Sequence, residues 1–295
     1  MDKYVSIDIG GTAIKYGLLD RNANILERYE TATEAHKGGA AILEKTLAIV
    51  RGFREKDRLA GVCISTAGMV DVEKGEIFYA APLIPEYAGT NFKAAIEKEF
   101  CIPCEVENDV NCAGLAESVS GAAKGTGSSL TLTIGTGIGG CIVIDGKVYH
   151  GFSNSACEVG YMHMAGSDFQ TLGAASILTR KVSVLKGEDA QAWDGYAVFK
   201  AAREGDTVCC QAIDEMADIL GMGIANICYV LNPEVVVLGG GIMAQEDFLK
   251  ERMEAALKKY LVSGIAEKTS LKFARHRNDA GMLGAFYHFR GRHMD

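Results

Sequence analysis

Glu107-Asn108-Asp109-Val110-Asn111 places a run of carboxylates and amides straight after an apolar stretch, where a strand would deliver them to one edge of a sheet. A carboxylate there can take the proton of an alcohol as that oxygen attacks a phosphorus, which makes Asp109 the candidate general base. Asp and Asn are also good N-caps, so the cluster has a second reading as the start of a helix over Asn111–Ser120. Both hold if different residues carry them. Asp8-Ile9-Gly10-Gly11-Thr12 has a complementary make-up: a strand-end carboxylate suited to Mg²⁺ or its water, then glycines whose amides approach a phosphate with no Cβ in the way, and a hydroxyl. Taken alone, it is equally well an ordinary glycine hairpin.

Gly135-Thr136-Gly137-Ile138-Gly139-Gly140 is a second loop of this kind. No Gly-Lys-Ser/Thr follows it, and it runs on into an apolar strand rather than a helix, so neither the P-loop nor the dinucleotide fingerprint applies. Gly239-Gly240-Gly241-Ile242-Met243 would give flat access to an adenine or ribose, or simply let a helix pack close on a strand. In Glu158-Val159-Gly160-Tyr161-Met162-His163, Glu158 can accept hydrogen bonds from vicinal hydroxyls, whereas a lone His163 reads as a packed or surface histidine.

The elements that must hold these groups form a weak repeat. Ser6–Asp20 and Leu130–Asp145 are each an apolar strand, a glycine turn and a second apolar strand ending in Asp, about 125 residues apart. Helices are expected over Gly39–Phe53, Asn91–Phe100, Asn111–Ser120, Ala212–Leu231, Gln245–Leu261 and Ala280–Phe289, the last able to return to the first half. Strands are expected over Leu59–Ser65, Pro103–Glu107, Val235–Leu238 and Leu271–Ala274. Alternating strands and helices with two hairpin openings imply two α/β lobes around a cleft.

At 295 residues the chain can bury two cores, and 48% hydrophobic with 23% charged residues excludes disorder. A formal net charge of −8 without a basic run excludes a nucleic-acid surface but not a nucleotide, whose charge loop amides and Mg²⁺ can meet. No apolar stretch has the length of a membrane span and no signal peptide is seen, which places the protein in the cytosol. Nine scattered cysteines there read as free, mostly buried thiols, the Cys101-x-x-Cys104 spacing included.

In their order along the chain these motifs resemble the ROK family of sugar kinases and regulators, within the actin-like, hexokinase-type ATPases. The resemblance rests on Asp8–Thr12, Ser65–Asp71, Glu107–Asp109, Ile134–Gly140, Glu158–Gly160 and Gly239–Gly241, and spans nearly the whole chain. It implies a two-lobed actin-like (ribonuclease H-like) α/β fold with a central cleft. One lobe is expected over residues 1–115 with the helix 280–295, on the sugar and phosphate side, and the other over 116–279, on the nucleotide side. It implies γ-phosphate transfer from Mg·ATP to a sugar hydroxyl, usually the 6-hydroxyl, by a cytoplasmic homodimer. Asp109 would be the base. Ser65, Gly68, Asn91, Asn108, Glu158 and Tyr161 would line the sugar site. Asp8, Gly10, Gly11, Thr12, Lys15, Gly135, Thr136, Gly137, Gly139, Gly240, Gly241 and Ile242 would hold ATP.

Two departures from the family pattern bear on substrate and metal. Most bacterial members carry Glu-x-Gly-His and then a cysteine-rich stretch that binds structural zinc; here Tyr161 stands at the His position and Ala165–Ser176 has no Cys, so no zinc is expected. The second sugar-binding Glu of that stretch is missing too, which would leave room at the sugar's anomeric carbon. Together with the tail Arg277–Phe289, this resembles the β-glucoside kinases of the family; glucokinase and N-acetylmannosamine kinase readings stay open. A sugar-sensing repressor would carry a DNA-binding domain before the Asp-x-Gly-Gly-Thr motif, which here begins at residue 8 of an acidic chain. A sugar-binding protein without activity is the third reading, and the retained Asp109 and glycine loops count against it.

Overall fold

The computed structural model describes residues 2–164 and 166–294. Met1, Ala165 and Asp295 lie outside the described residues, and with them the two ends of the expected first lobe and the first position of the cysteine-free stretch.

The chain divides into two compact units. The first runs to Val119 and adds Val148–Ala156 and the chain from Asn278 on; the second comprises Ser120–Lys147 and Cys157–Arg277. In chain order the first unit opens with β1 (Lys3–Ile9), β2 (Ala13–Asp20), β3 (Ile25–Ala32), α1 (Gly38–Arg54) and β4 (Leu59–Thr66). A short β5 (Met69–Asp71) and β6 (Glu76–Tyr79) follow, then α2 (Phe92–Phe100), β7 (Cys104–Asn108) and α3 (Asp109–Ser120). The second unit holds β8 (Ser128–Ile134), β9 (Ile138–Ile144) and, at the boundary, β10 (Lys147–Val148). Beyond them come β11 (His163–Met164), β12 (Ser167–Asp168), α4 (Phe169–Gly173), α5 (Ala175–Lys186), α6 (Gly195–Arg203) and α7 (Thr207–Leu231). It closes with β13 (Val235–Gly239), α8 (Glu246–Tyr260), α9 (Ser263–Ala266) and β14 (Ser270–Phe273); α10 (Ala280–His293) belongs to the first unit.

The two main sheets have the same plan. Their strand orders are β3-β2-β1-β4-β7 and β10-β9-β8-β13-β14. In each, a leading antiparallel hairpin is extended by two parallel strands, β1 beside β4 beside β7 and β8 beside β13 beside β14. Parallel strands buried on both faces read as unbroken apolar runs, which is why Leu59–Ser65 and Val235–Leu238 were legible. In the first unit Ile42, Leu47, Val50, Phe92 and Ile96 of α1 and α2 pack with the strands' Ile7, Ile64 and Val106. Cys112 and Leu115 of α3 pack with Phe286 and Phe289 of α10 in a separate core. Close approach there depends on glycine: a Cβ on Gly284 would come within 1.9 Å of the Cys112 carbonyl oxygen.

Three expectations needed correction. The helix expected from Asn111 starts at Asp109, because Asn108 caps it. Strand β3 was not expected: five of its eight residues are charged or polar, and it lies at the sheet edge, where one face meets water. Helices α5 and α6 were also missed; α5 leaves Val184 and Leu185 exposed, which blurs its apolar stripe. The cysteines are free, but Cys101 is exposed and Cys157 and Cys210 are only half-buried. Burial pushes the thiols of Cys63, Cys104 and Cys112 well up, which makes them inert.

Candidate active site

In the first unit three parallel strands end side by side, and each carries a polar residue in its last two positions. The register pairs Asp8 of β1 with Ser65 of β4, and Ser65 and Thr66 with Glu107 and Asn108 of β7. The carboxyl ends of parallel strands are where α/β folds place ligands. Ser65 Oγ donates to Asp8 Oδ1 at 2.7 Å. Burial pushes the Asp8 carboxyl above its ordinary value, partly offset by that hydrogen bond and by the Lys15 charge. Lys15 faces Asp8 across the hairpin and donates to Asn278 Oδ1 at 3.2 Å. Helix α10 can approach because residue 281 is glycine: a Cβ there would lie 2.2 Å from Asp8 Cγ. The loop itself is closed by Gly10 N–H donating to the Ala13 carbonyl at 3.0 Å, with Gly11 and Thr12 exposed.

At the end of β7 the division of labour is clear. Asn108 Oδ1 accepts from the N–H groups of Val110 and Asn111 at 2.9 and 3.1 Å, the geometry of an N-cap. Its Nδ2 donates to the Gly68 carbonyl at 2.9 Å and to Asp109 Oδ1 at 3.1 Å. Asn108 is thus the cap, and Asp109 is the first residue of α3, half-buried and held by that cap. The same amide ties the turn after Ser65 to the helix. Gly68 has φ +97°, and a Cβ there would be 2.9 Å from the Tyr79 carbonyl, so only glycine fits. Thr66 Oγ1 and the Tyr87 hydroxyl lie 2.5 Å apart, and burial together with the Asp109 charge pushes that phenol up.

Asp8, Ser65, Gly68, Asn108 and Asp109 are therefore linked by strand pairing and hydrogen bonds. Asn91 stands apart from this chain of bonds: its Oδ1 caps α2 through Ala94 N–H at 2.8 Å, and its Nδ2 donates to Glu76 at 3.4 Å. Sequence reasoning used Glu107 only as a strand end. Its carboxylate is buried and accepts from Asn108 N–H at 2.8 Å and Asn111 Nδ2 at 3.0 Å, and it lies 2.6 Å from His150 Nε2. No local signal pairs residues 107 and 150.

In the second unit the loop 135–137 is anchored by α5. Gly135 N–H donates to the Gly137 carbonyl at 2.9 Å, while Ser176 Oγ donates to the Thr136 carbonyl at 2.7 Å. A Cβ on Gly137 would meet Gln170 Oε1 at 2.6 Å, whereas one on Gly135 meets nothing within 4 Å. Gly139 pairs with Thr133 in the β8–β9 ladder. Gly240, at φ +100°, passes so near β8 that a Cβ would lie 2.2 Å from the Ile134 carbonyl, so close packing demands this glycine. Gly241 is open, but the Ile242 side chain is buried in the core and offers only its backbone to a ligand. Glu158 precedes a single 3₁₀ turn, Val159–Tyr161, and both Glu158 and Tyr161 are exposed.

Among the described residues no three His, Cys, Asp or Glu side chains converge to hold a metal ion, so the residues present do not fit a structural zinc. Asp8, a lone half-buried carboxylate raised by burial, fits a single hard-cation contact of the kind Mg²⁺ makes when phosphates and water supply its other ligands.

Known proteins resemble this chain along its full length. An uncharacterized protein of Clostridium perfringens is 48% identical, with 98% of each chain covered. A β-glucoside kinase of Klebsiella pneumoniae is 31% identical over 97% of this chain and 96% of its own. The crystal structure of a ROK family glucokinase from Streptomyces griseus, in complex with glucose and AMPPNP, superposes with a TM-score of 0.82 at 25% identity, covering 96% of this chain and 97% of that one. Its fold is therefore the actin-like ATPase fold of these kinases. Residues 4–292 match the ROK family profile, and the chain belongs to the ROK family.

Proposed function

We propose that the protein is an ATP-dependent sugar kinase, in which Asp109 removes the proton of a sugar hydroxyl, the 6-hydroxyl of a hexose or β-glucoside, as the γ-phosphoryl group moves to it. The observation that carries this reading is the division at the end of β7: Asn108 takes the capping role, so Asp109 opens the helix with its carboxylate beside the Ser65–Gly68 turn. A helix N-terminus favours the ionised, proton-accepting form. Family membership and the kinase names of its relatives support the same chemistry.

In this reading the first unit is the sugar side, where Ser65, Gly68, Asn91 and Asn108 orient hydroxyls and Asp8, Gly10–Thr12 and Lys15 meet phosphate. The second unit is the nucleotide side, with Gly135–Gly139 at the phosphates and the backbone of Gly240–Ile242 by the adenosine; Glu158 and Tyr161 are assigned to sugar hydroxyls by the family resemblance alone. Mg²⁺ arriving with ATP would neutralise charge at the phosphates, with Asp8 as its protein contact. Without water competing for the hydroxyl, a base held at the helix start need move only one proton. A cytosolic homodimer belongs to the same proposal. The homodimer rests on the family resemblance; no helix of the described residues is long and apolar enough to cross a membrane.

The test is an ATP-coupled assay over glucose, N-acetylmannosamine, N-acetylglucosamine and cellobiose side by side. Turnover with cellobiose above glucose is expected. A strong preference for free glucose removes the β-glucoside reading and leaves the kinase, and no turnover with any sugar removes both.

A further inference from the structure

The first unit buries a cluster of charge that the proposed reaction does not use. Glu105 and Glu107, both 1% exposed, point to the same side of β7. Glu107 divides its two oxygens. Oε1 accepts from Asn108 N–H and from Asn111 Nδ2, that is, from the residues on either side of Asp109. Oε2 faces His150 Nε2 at 2.6 Å and His288 Nδ1 at 3.4 Å. His150 comes from Val148–Ala156, a segment in which Ala156 N–H donates to the His150 carbonyl and Phe152 is fully exposed.

We infer that Glu107 is a positioning residue for Asp109, and that the His150 imidazolium is the counter-charge that keeps Glu107 ionised and in place. The inference rests on the kinase reading and deepens it by naming what aims the base. A buried carboxylate without a counter-charge takes up a proton. Protonated, Glu107 becomes a poorer acceptor for Asn108 and Asn111, and the first turn of α3 loses the bonds that flank Asp109. Charge on the histidine side is thereby felt on the asparagine side of one carboxylate.

The surroundings agree on which histidine carries the charge. Burial works to raise Glu107, but the hydrogen bond from His150, the charges of His288 and His150 and the Asn111 amide outweigh it and hold it below the ordinary range. His150 is raised, first by its hydrogen bond to Glu107, against burial and the Arg292 charge and with Glu73 assisting. Burial pushes His288 of α10 below its ordinary value despite Glu107 and Glu105, and among the described residues its Nε2 finds no hydrogen-bond partner, so His150 is the histidine that holds its proton more readily. Glu105 is meanwhile engaged by Lys93, Arg292 and His293. The sign follows: the His150–Glu107 ion pair is complete between the lowered Glu107 value and the raised His150 value, is lost as pH rises through the latter, above the ordinary 6.5 or so, and is lost at the acid end as Glu107 takes up a proton.

The test is kcat and both KM values against pH, with Tm, for the wild type and for H150A, H150Q and E107Q, using the best sugar of the panel. H150A and E107Q should lower kcat by about tenfold or more while leaving the KM for ATP within about twofold. H150Q, whose amide can donate to Glu107 but carries no charge, should lower kcat as H150A does, and neither variant should show the alkaline fall in kcat of the wild type; full rescue by H150Q would overturn the counter-charge role. Wild-type kcat and pH profile in H150A overturn the inference, as does loss that follows Tm alone, or an alkaline limb that survives in H150Q. If the wild type phosphorylates no sugar, the kinase reading and the inference fall together; if it does and H150A matches it, only the inference falls.

Discussion

The loops 10–12 and 135–137 are built alike and equipped differently. Each is a three-residue connection between the leading antiparallel strands of its sheet, and each is closed by one backbone bond across the turn. Two residues before the first loop glycine, on the same penultimate ladder position, one carries Asp8 and the other Thr133. Asp8 has Lys15 opposite and Ser65 beside it; Thr133 has Gly139 opposite. The strands parallel to β1 continue the difference, since β4 ends on Ser65–Thr66 and β7 on Glu107–Asn108, with Asp109 opening α3, whereas β13 ends on glycine. One backbone plan thus serves a charged site suited to proton and cation chemistry, and a neutral one suited to phosphate oxygens. The side chains, not the fold, assign the roles.

That contrast can be broken at several points. The largest effect is expected from D109N, which keeps the helix start and removes the base: kcat should fall by about 10²–10⁴ with sugar affinity by calorimetry nearly unchanged. Retention of most of kcat would remove Asp109 as the base. D8N should raise the KM for Mg·ATP by about tenfold, whereas T133V in the equivalent position should change it by less than about threefold; similar losses in both would erase the distinction. D8N also has a stability signature. Asp8 holds its proton more tightly folded than unfolded, so wild-type stability falls as pH rises through its elevated value, above about 4, and D8N should lack that fall in a urea-melt series.

A smaller effect tests the feature the loops share. A Cβ on Gly11 or Gly135 meets no atom within 4 Å, and neither has positive φ. G11A and G135A should therefore leave Tm within about 2 °C and raise the KM for ATP several-fold by crowding the phosphates. An unchanged KM would return that loop to the status of an ordinary turn. The smallest effect concerns metal: prolonged chelation followed by Mg²⁺ should restore full activity with unaltered Tm, because no cluster of ligands holds a structural ion among the described residues. A lasting loss would reveal one.

Much of the scaffold was legible because it is local. Both hairpins announce themselves by apolar runs interrupted by glycine, and α7 and α8 by long 3.6-residue periodicity. Edge strand β3 was not legible, since a half-wet strand rich in Glu and Arg reads as a loop. Nor was the division between Asn108 and Asp109: both are cap-forming residues, and only the hydrogen bonds to Val110 and Asn111 assign the cap.

By itself, the amino-acid sequence determined where the chain turns on glycine, where it places carboxylates and which family it joins, because these depend on neighbours a few residues apart. Tertiary structure alone decided the charge around the candidate base. His150 meets Glu107 from 43 residues away and α10 reaches the same carboxylates from beyond residue 280. Such pairings are set by how sheets and helices stack, and no spacing along the chain encodes them.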